Sequence, residues 1–194
     1  MRRPTRIAVL ASGEGTTLQA LLDAVAEGRL PAEIALVVSN NSGAKALERA
    51  REAGCAYAHI SAKTHPENPG AALVDALEHA GTELVVLAGY MKKLPAPVIE
   101  KWPMRVVNTH PGPLPEFGGR GMFGDWVHEA VLERGCTQTG PTVHLVVGDY
   151  DEGPILGHTP VSVQPDDDVP RLKARVQAAE RELIVRVLLD RFCS

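Results

Sequence analysis

The chain has 194 residues, enough for one domain with a single core. Its 44% hydrophobic residues and 23% charged residues are ordinary globular composition, and the net charge of -4 argues against binding to nucleic acid or an anionic membrane. Cys55, Cys136 and Cys193 are odd in number and widely spaced, which fits reduced thiols and neither a disulfide scaffold nor a zinc knuckle. Met1-Arg2-Arg3-Pro4 has no apolar signal region, and no apolar run is long enough to cross a bilayer, so the expected compartment is the cytoplasm.

In chain order, Arg6 to Ala11 is a nearly continuous apolar run, as in a strand buried on both faces. Ser12-Gly13-Glu14-Gly15-Thr16-Thr17 follows and opens a helix over Leu18 to Val25. A second strand is expected over Ile34 to Ser39, a helix over Ala44 to Ala53, and a short strand over Tyr57 to Ile60. Ala71 to Ala80 is helical and stops at Gly81. Leu84 to Ala88 is the fourth strand, a short helix lies around Pro97 to Lys101, and Val106 to His110 is the fifth strand. Strand–helix alternation of this kind predicts an α/β fold with an open, doubly wound, mostly parallel sheet.

Beyond His110 the rhythm changes. A Gly-rich loop over Phe117 to Gly124 leads to a helix around Trp126 to Arg134. Thr142 to Val147 and Ile155 to Val163, the latter broken by Pro160, are expected to form a C-terminal antiparallel hairpin. Asp166-Asp167-Asp168 caps a long final helix from Val169 to about Phe192, with a core stripe of Leu172, Val176, Ala179, Leu183 and Val187. The expected organisation is one domain over 1–194, with a phosphate-binding half over 1–105 and a catalytic half over 106–194.

Three stretches carry chemistry. The turn at Gly13 and Gly15 suits a phosphate, because helix N-terminal N–H groups and the dipole attract a dianion and glycine permits close approach. It is neither a P-loop nor a complete dinucleotide fingerprint, since Leu18 takes the third glycine's place. A plain strand-to-helix turn is the alternative. Asn108 and His110 alternate onto one face of the fifth strand, and Pro111 keeps His110 extended. They are either turn residues or an oxyanion-stabilising pair. The hairpin brings His144, Asp149 and Asp151; one aspartate set against His110 would raise its pKa and keep it protonated near neutral pH. No serine or cysteine sits in a nucleophile elbow, which favours direct transfer between two bound substrates.

Taken together, the motifs at residues 9–20 and 85–92, Asn108-x-His110-Pro111 with Leu114-Pro115, Thr142-Val143-His144, and Asp151-Glu152-Gly153-Pro154-Ile155 resemble the folate-dependent phosphoribosylglycinamide formyltransferase family over Arg6 to about Leu188. The resemblance implies formyl transfer from 10-formyltetrahydrofolate, as co-substrate, to the amine of 5'-phosphoribosylglycinamide in purine biosynthesis. It implies catalytic Asn108, His110 and Asp151, a supporting His144, and ribonucleotide contacts from Gly13, Gly15, Thr16, Thr17, Gln177 and Glu180. It also implies folate contacts from Met91, Lys92, Lys93 and Leu94 and from the loop Val147, Gly148, Asp149, Tyr150 to Asp151, and a cis peptide at Leu114-Pro115. No metal is expected; the partners are small molecules, with no nucleic acid or membrane, and the chain is a monomer or homodimer. Gly112-Pro113 replaces the family's usual Ser-Leu, and the family's basic residue near Pro66 is absent, with Lys63 or His65 as substitutes. Methionyl-tRNA formyltransferases and formyltetrahydrofolate hydrolases share this core, but would be expected to carry a further C-terminal or N-terminal domain. A phosphometabolite-binding module would have no use for Asn108, His110 and Asp151 together.

Overall fold

The computed structural model describes residues 3–193; Met1 and Arg2 of the N-terminal lead, and Ser194, lie outside the described residues. The elements run β1 (Thr5–Leu10), α1 (Thr16–Ala26), β2 (Ala32–Ser39), α2 (Lys45–Glu52), β3 (Tyr57–His59), α3 (Pro69–His79), β4 (Leu84–Leu87), α4 (Ala96–Lys101) and β5 (Val106–His110). They continue with α5 (Asp125–Glu133), β6 (Gln138–Thr139), β7 (Thr142–Leu145), β8 (Ile155–His158), β9 (Val161–Ser162) and α6 (Val169–Phe192). The main sheet has the order β3-β2-β1-β4-β5-β7-β8. Pairing is parallel from β3 to β5 and antiparallel from β5 to β8, so the expected α/β fold with its C-terminal hairpin and long last helix is present.

The apolar run of β1 is buried on both faces, as its composition requires. Ile7 and Val9 pack with Leu18 and Leu21 of α1 and Leu183 and Leu188 of α6. Ala8 and Leu10, pointing the other way, pack with Leu73 and Leu77 of α3 and Val98 of α4. Strand order reverses at β1, which lies between β2 and β4. The carboxyl ends of β1, β4 and β5 therefore border the crevice where ligands bind in open α/β sheets.

The segment expected as one broken strand over Ile155 to Val163 is two strands in different sheets. Before Pro160, β8 pairs with β7; after it, β9 pairs with β6 in a separate two-stranded sheet. The sequence gives β6 only two residues, too short a run for periodicity to reveal. On α6, Ala179 is only half-buried and Glu180 takes the buried place between Val176 and Leu183. The Asp168 side chain caps α6 by accepting from the Arg171 amide at 2.9 Å, as expected, and Asp167 pairs with Arg175.

Two glycines have steric reasons. Gly15 has φ 69°, and a Cβ on it would lie 2.8 Å from Ala46 Cα at the start of α2. A Cβ on Gly112 would lie 2.6 Å from Val127 Cγ1 of α5 and 3.2 Å from Phe117 Cβ. That contact accounts for glycine in place of the family's usual serine, since Val127 fills the space a side chain would need. The Leu114–Pro115 bond is cis, as the resemblance implied. Gly112→Ala is expected to cost about 1–3 kcal/mol through overpacking. Adding Val127→Ala should make the double variant at least about 1 kcal/mol more stable than the sum of the singles predicts. Urea unfolding of the four proteins checks this; strict additivity rejects the steric account.

Candidate active site

Register delivers the central residues. Asn108 and His110, two apart on β5, share a face, and β7 runs antiparallel beside them with Asn108 opposite His144. The chain beyond β7 then returns Asp151 to the same point. Asp151 has φ 59°, a left-handed conformation that aspartate tolerates better than most residues and that aims its carboxylate inward.

Four groups meet that carboxylate. Its Oδ2 accepts from the Gly119 amide at 3.0 Å and lies 3.5 Å from His110 Nδ1. Its Oδ1 lies 3.3 Å from His144 Nε2 and 3.4 Å from Asn108 Nδ2. His144 is held by its Nδ1–H donating to the Leu145 carbonyl at 2.8 Å, and its Nε2 also lies 3.1 Å from Asn108 Nδ2. Burial opposes ionisation of Asp151, but the hydrogen bond from His144, the attraction of His110 when it is protonated and the Gly119 amide outweigh it and hold the carboxyl below the usual range.

His110 is 3% exposed. Its Nε2 donates to the Phe117 carbonyl at 2.7 Å, which fixes the tautomer and leaves Nδ1 as the nitrogen facing Asp151. Burial lowers the His110 pKa, and His144 adds to this; Asp151 and the Phe117 carbonyl only partly offset them. The expectation that Asp151 keeps His110 protonated near neutral pH is therefore corrected. Desolvation outweighs the pairing, and His110 rests as neutral imidazole.

A cleft of about 590 Å³ opens over this cluster. It brings together Gly13, Gly15, Thr16, Thr17, Met91, Lys92, Asn108, His110, Tyr150, Asp151, Gln177 and Glu180 of the sequence-derived set. Gly15 is the N-cap of α1, and no side chain caps the helix's first N–H groups. Glu14 in the same turn is offset by Lys45, 2.9 Å away. Glu180 is 9% exposed; its Oε1 accepts from Thr17 Oγ1 at 2.7 Å and Thr109 Oγ1 at 3.1 Å, and burial raises its pKa.

The other expected residues lie elsewhere. Leu94 is buried in the core beside Val98 and Trp102, so its side chain does not reach the cleft. Lys93 and Asp149 pair with each other at 2.5 Å, tying the loop after β4 to the loop after β7, with Lys93 Nζ 5.8 Å from the Tyr150 ring centre. Val147 is exposed and, like Gly148, does not line the cleft. Neither Lys63 nor His65 lines it; the cations that do are Lys92, Arg120 and Lys173.

Sequence reasoning also missed Ser12, whose Oγ accepts from the Met91 amide at 2.8 Å, and the backbone groups of Phe117 and Gly119. It missed His128 and Lys173 as cleft residues. The glycine-rich composition of 117–124 was a signal for the loop; His128, on a helix with no motif, left none.

Residues 5–188 match the formyl transferase family. The chain belongs to that family. It is 36% identical over 189 residues to a chloroplastic phosphoribosylglycinamide formyltransferase of Arabidopsis thaliana, covering 96% of this chain and 65% of that one. Its fold superposes on a glycinamide ribonucleotide transformylase of Symbiobacterium toebii with TM-score 0.89 and 39% identity, covering 97% of this chain and 87% of that one. A formyltetrahydrofolate deformylase of Pseudomonas syringae has the same fold, with TM-score 0.85 and 27% identity, covering 95% of this chain and 60% of that one. Among the described residues no helix is long and apolar enough to cross a membrane.

One titration follows from the site. Burial, together with the Lys173 charge and competition with His110 for a proton, lowers His128 from 6.5 to about 4 against the pull of Asp125. Between those values the unfolded chain binds a proton that the folded chain does not. Stability therefore falls as pH drops below about 6.5 and this loss levels off below about 4, reaching up to about 3 kcal/mol. His128→Leu should show a loss between pH 7 and 4 that is smaller by about that amount; equal losses in urea unfolding would refute the assignment.

Proposed function

We propose that this chain transfers the formyl group of 10-formyltetrahydrofolate to the amine of 5'-phosphoribosylglycinamide, giving formylglycinamide ribonucleotide and tetrahydrofolate. The observation that carries this reading is the convergence of Asn108, His110 and Asp151 in one cleft with the uncapped start of α1.

The phosphate is assigned to the Gly13-Gly15 turn, with Thr16 and Thr17, where free N–H groups and the α1 dipole favour an anion. Gln177 and Glu180 are assigned to the phosphoribosyl group. Glu180 Oε2 remains for a substrate hydroxyl while Oε1 takes the two threonines. The folate is assigned to the side of the cleft bordered by Met91, Lys92 and Tyr150, where the Lys93–Asp149 pair ties the loop of Leu94 to the loop of Val147 and Gly148. In this reading 1–105 of a single domain supplies the phosphate site and the Met91–Lys92 side of the folate site, and 106–194 supplies the catalytic residues, Tyr150 and the α6 residues assigned to the phosphoribosyl group. The chain's free cysteines fit a reducing compartment such as the cytoplasm.

The amine lone pair attacks the formyl carbon, a C–N bond forms, and the carbonyl π pair moves to oxygen. Asn108 Nδ2 donates to that oxygen in place of its long 3.4 Å contact with Asp151. The neutral resting state of His110 matters here. A negative oxygen beside Nδ1, together with Asp151, favours proton uptake by the imidazole at the moment charge develops. The intermediate collapses as the bond to the folate nitrogen breaks. The amine loses one proton and the folate nitrogen gains one, with His110 and Asp151 relaying it. Holding both reactants in one cleft supplies much of the rate, since good positioning is worth roughly 7–11 kcal/mol.

His110→Ala and Asp151→Asn should each lower turnover by about a hundredfold or more, followed by folate absorbance with both substrates present. Near-normal turnover in either variant would sink the assignment. The same assay without ribonucleotide separates the hydrolase reading: transfer requires that formyl loss be negligible until the amine is added.

A further inference from the structure

His128 closes the first turn of α5 and is 1% exposed, yet it lines the cleft with His110, Lys173, Gln177 and Glu180. Its Nδ1 is enclosed and has no hydrogen-bond partner among the described residues. A buried polar atom without a partner is unusual enough to require a reason. An enclosed N–H without an acceptor is rarer than an enclosed lone pair, so the ring's hydrogen belongs on Nε2, the edge turned away from the enclosed nitrogen. The imidazole is also uncharged at neutral pH, because burial, Lys173 and His110 all oppose protonation. The ring is thus a neutral N–H donor in the cleft wall.

Its neighbours say which part of a ligand it meets. Lys173 and His110 both act on it electrostatically, so it stands near the reacting centre and near the α6 residues assigned to the phosphoribosyl group. Resting on the formyl-transfer reading above, the segment of substrate that joins those two regions is the glycinamide arm. The arm's strong acceptor is its amide carbonyl oxygen, and its reactive end is the amine. We infer that His128 donates a hydrogen bond from Nε2 to that carbonyl oxygen and so fixes the amine over the formyl carbon. His110 acts on the formyl oxygen; His128 acts one carbon chain away, on the nucleophile's side.

Steady-state kinetics with both substrates varied test this on the full chain. His128→Leu fills the space without a donor, whereas His128→Gln places an amide N–H near the Nε2 position. The leucine variant should lose about tenfold in kcat/KM for the ribonucleotide, as expected for one hydrogen bond, with KM for 10-formyltetrahydrofolate within about twofold of wild type. The glutamine variant should recover most of the loss. An equal loss toward both substrates, equal impairment of both variants, or an unchanged leucine variant would overturn the inference. A second measurement needs no stable variant: a ribonucleotide analogue with CH2 in place of the amide carbonyl should bind wild type about tenfold more weakly than the parent in calorimetry. Equal binding of the two would overturn the inference as well. Absence of formyl transfer by wild type would instead remove the underlying reading, whatever the variants do.

Discussion

The site depends on a carboxylate kept charged where burial disfavours charge. Asp151 is surrounded by His110, His144, Asn108 and the Gly119 amide. They come from three separate parts of the chain: Asn108 and His110 from β5, His144 from β7 and Gly119 from the glycine-rich loop. Their convergence follows from the register that sets Asn108 opposite His144 and from the left-handed backbone that turns Asp151 inward. Shifting β7 by one residue would send His144 to the other face of the sheet and leave Asp151 short of a partner. An underpaired buried carboxylate would take up a proton rather than remain charged, and the electrostatics of His110 would change with it.

The same constraint explains why His110 rests neutral. A histidine beside a carboxylate is expected to be cationic, and the sequence supports that expectation because it shows the pairing and not the burial. The structure adds a 3.5 Å separation and nearly complete enclosure, and together these make desolvation the larger effect. For an oxyanion-stabilising group this is useful. A permanent imidazolium would be largely compensated by Asp151 before reaction, whereas a neutral imidazole responds when negative charge appears.

Much of the fold was legible because its signals are strong and local. The both-face burial of β1, the strand–helix alternation, and the aspartate cap of α6 all follow from runs or single residues. The cluster of Asn108, His110 and Asp151 was legible from the alternation that pairs Asn108 with His110 and from the family motifs around Asp151. The structure shows all three in contact distance. What was not legible depends on contacts between distant segments. Gly112 needs Val127 to explain it, fifteen residues on and across a loop. The His110 tautomer needs a backbone carbonyl at Phe117, and a backbone group has no residue signature. Leu94 reads as a loop residue by composition, but Val98 and Trp102 draw it into the core.

The cleft's charges are arranged by function rather than by bulk composition. The chain is net negative, yet Lys92, Arg120 and Lys173 line the cleft, and the turn glutamate Glu14, which also lines it, is paired with Lys45. Lys173 is held at 2.7 Å by Asp125, so part of its charge is already balanced before any ligand arrives. The buried groups differ: Glu180 has a raised pKa, and His110 and His128 have lowered ones. All three shifts have burial as their first cause, and all three favour the uncharged form. The floor of the cleft therefore discriminates by hydrogen-bond geometry, while its rim supplies attraction for anions. Such a division suits the transfer proposed above, in which two anionic substrates meet through one neutral amine and one neutral carbonyl. In that transfer the rim's cations attract the anionic substrates, and apart from the Asp151 carboxylate the floor holds its buried titratable groups uncharged until the oxyanion develops.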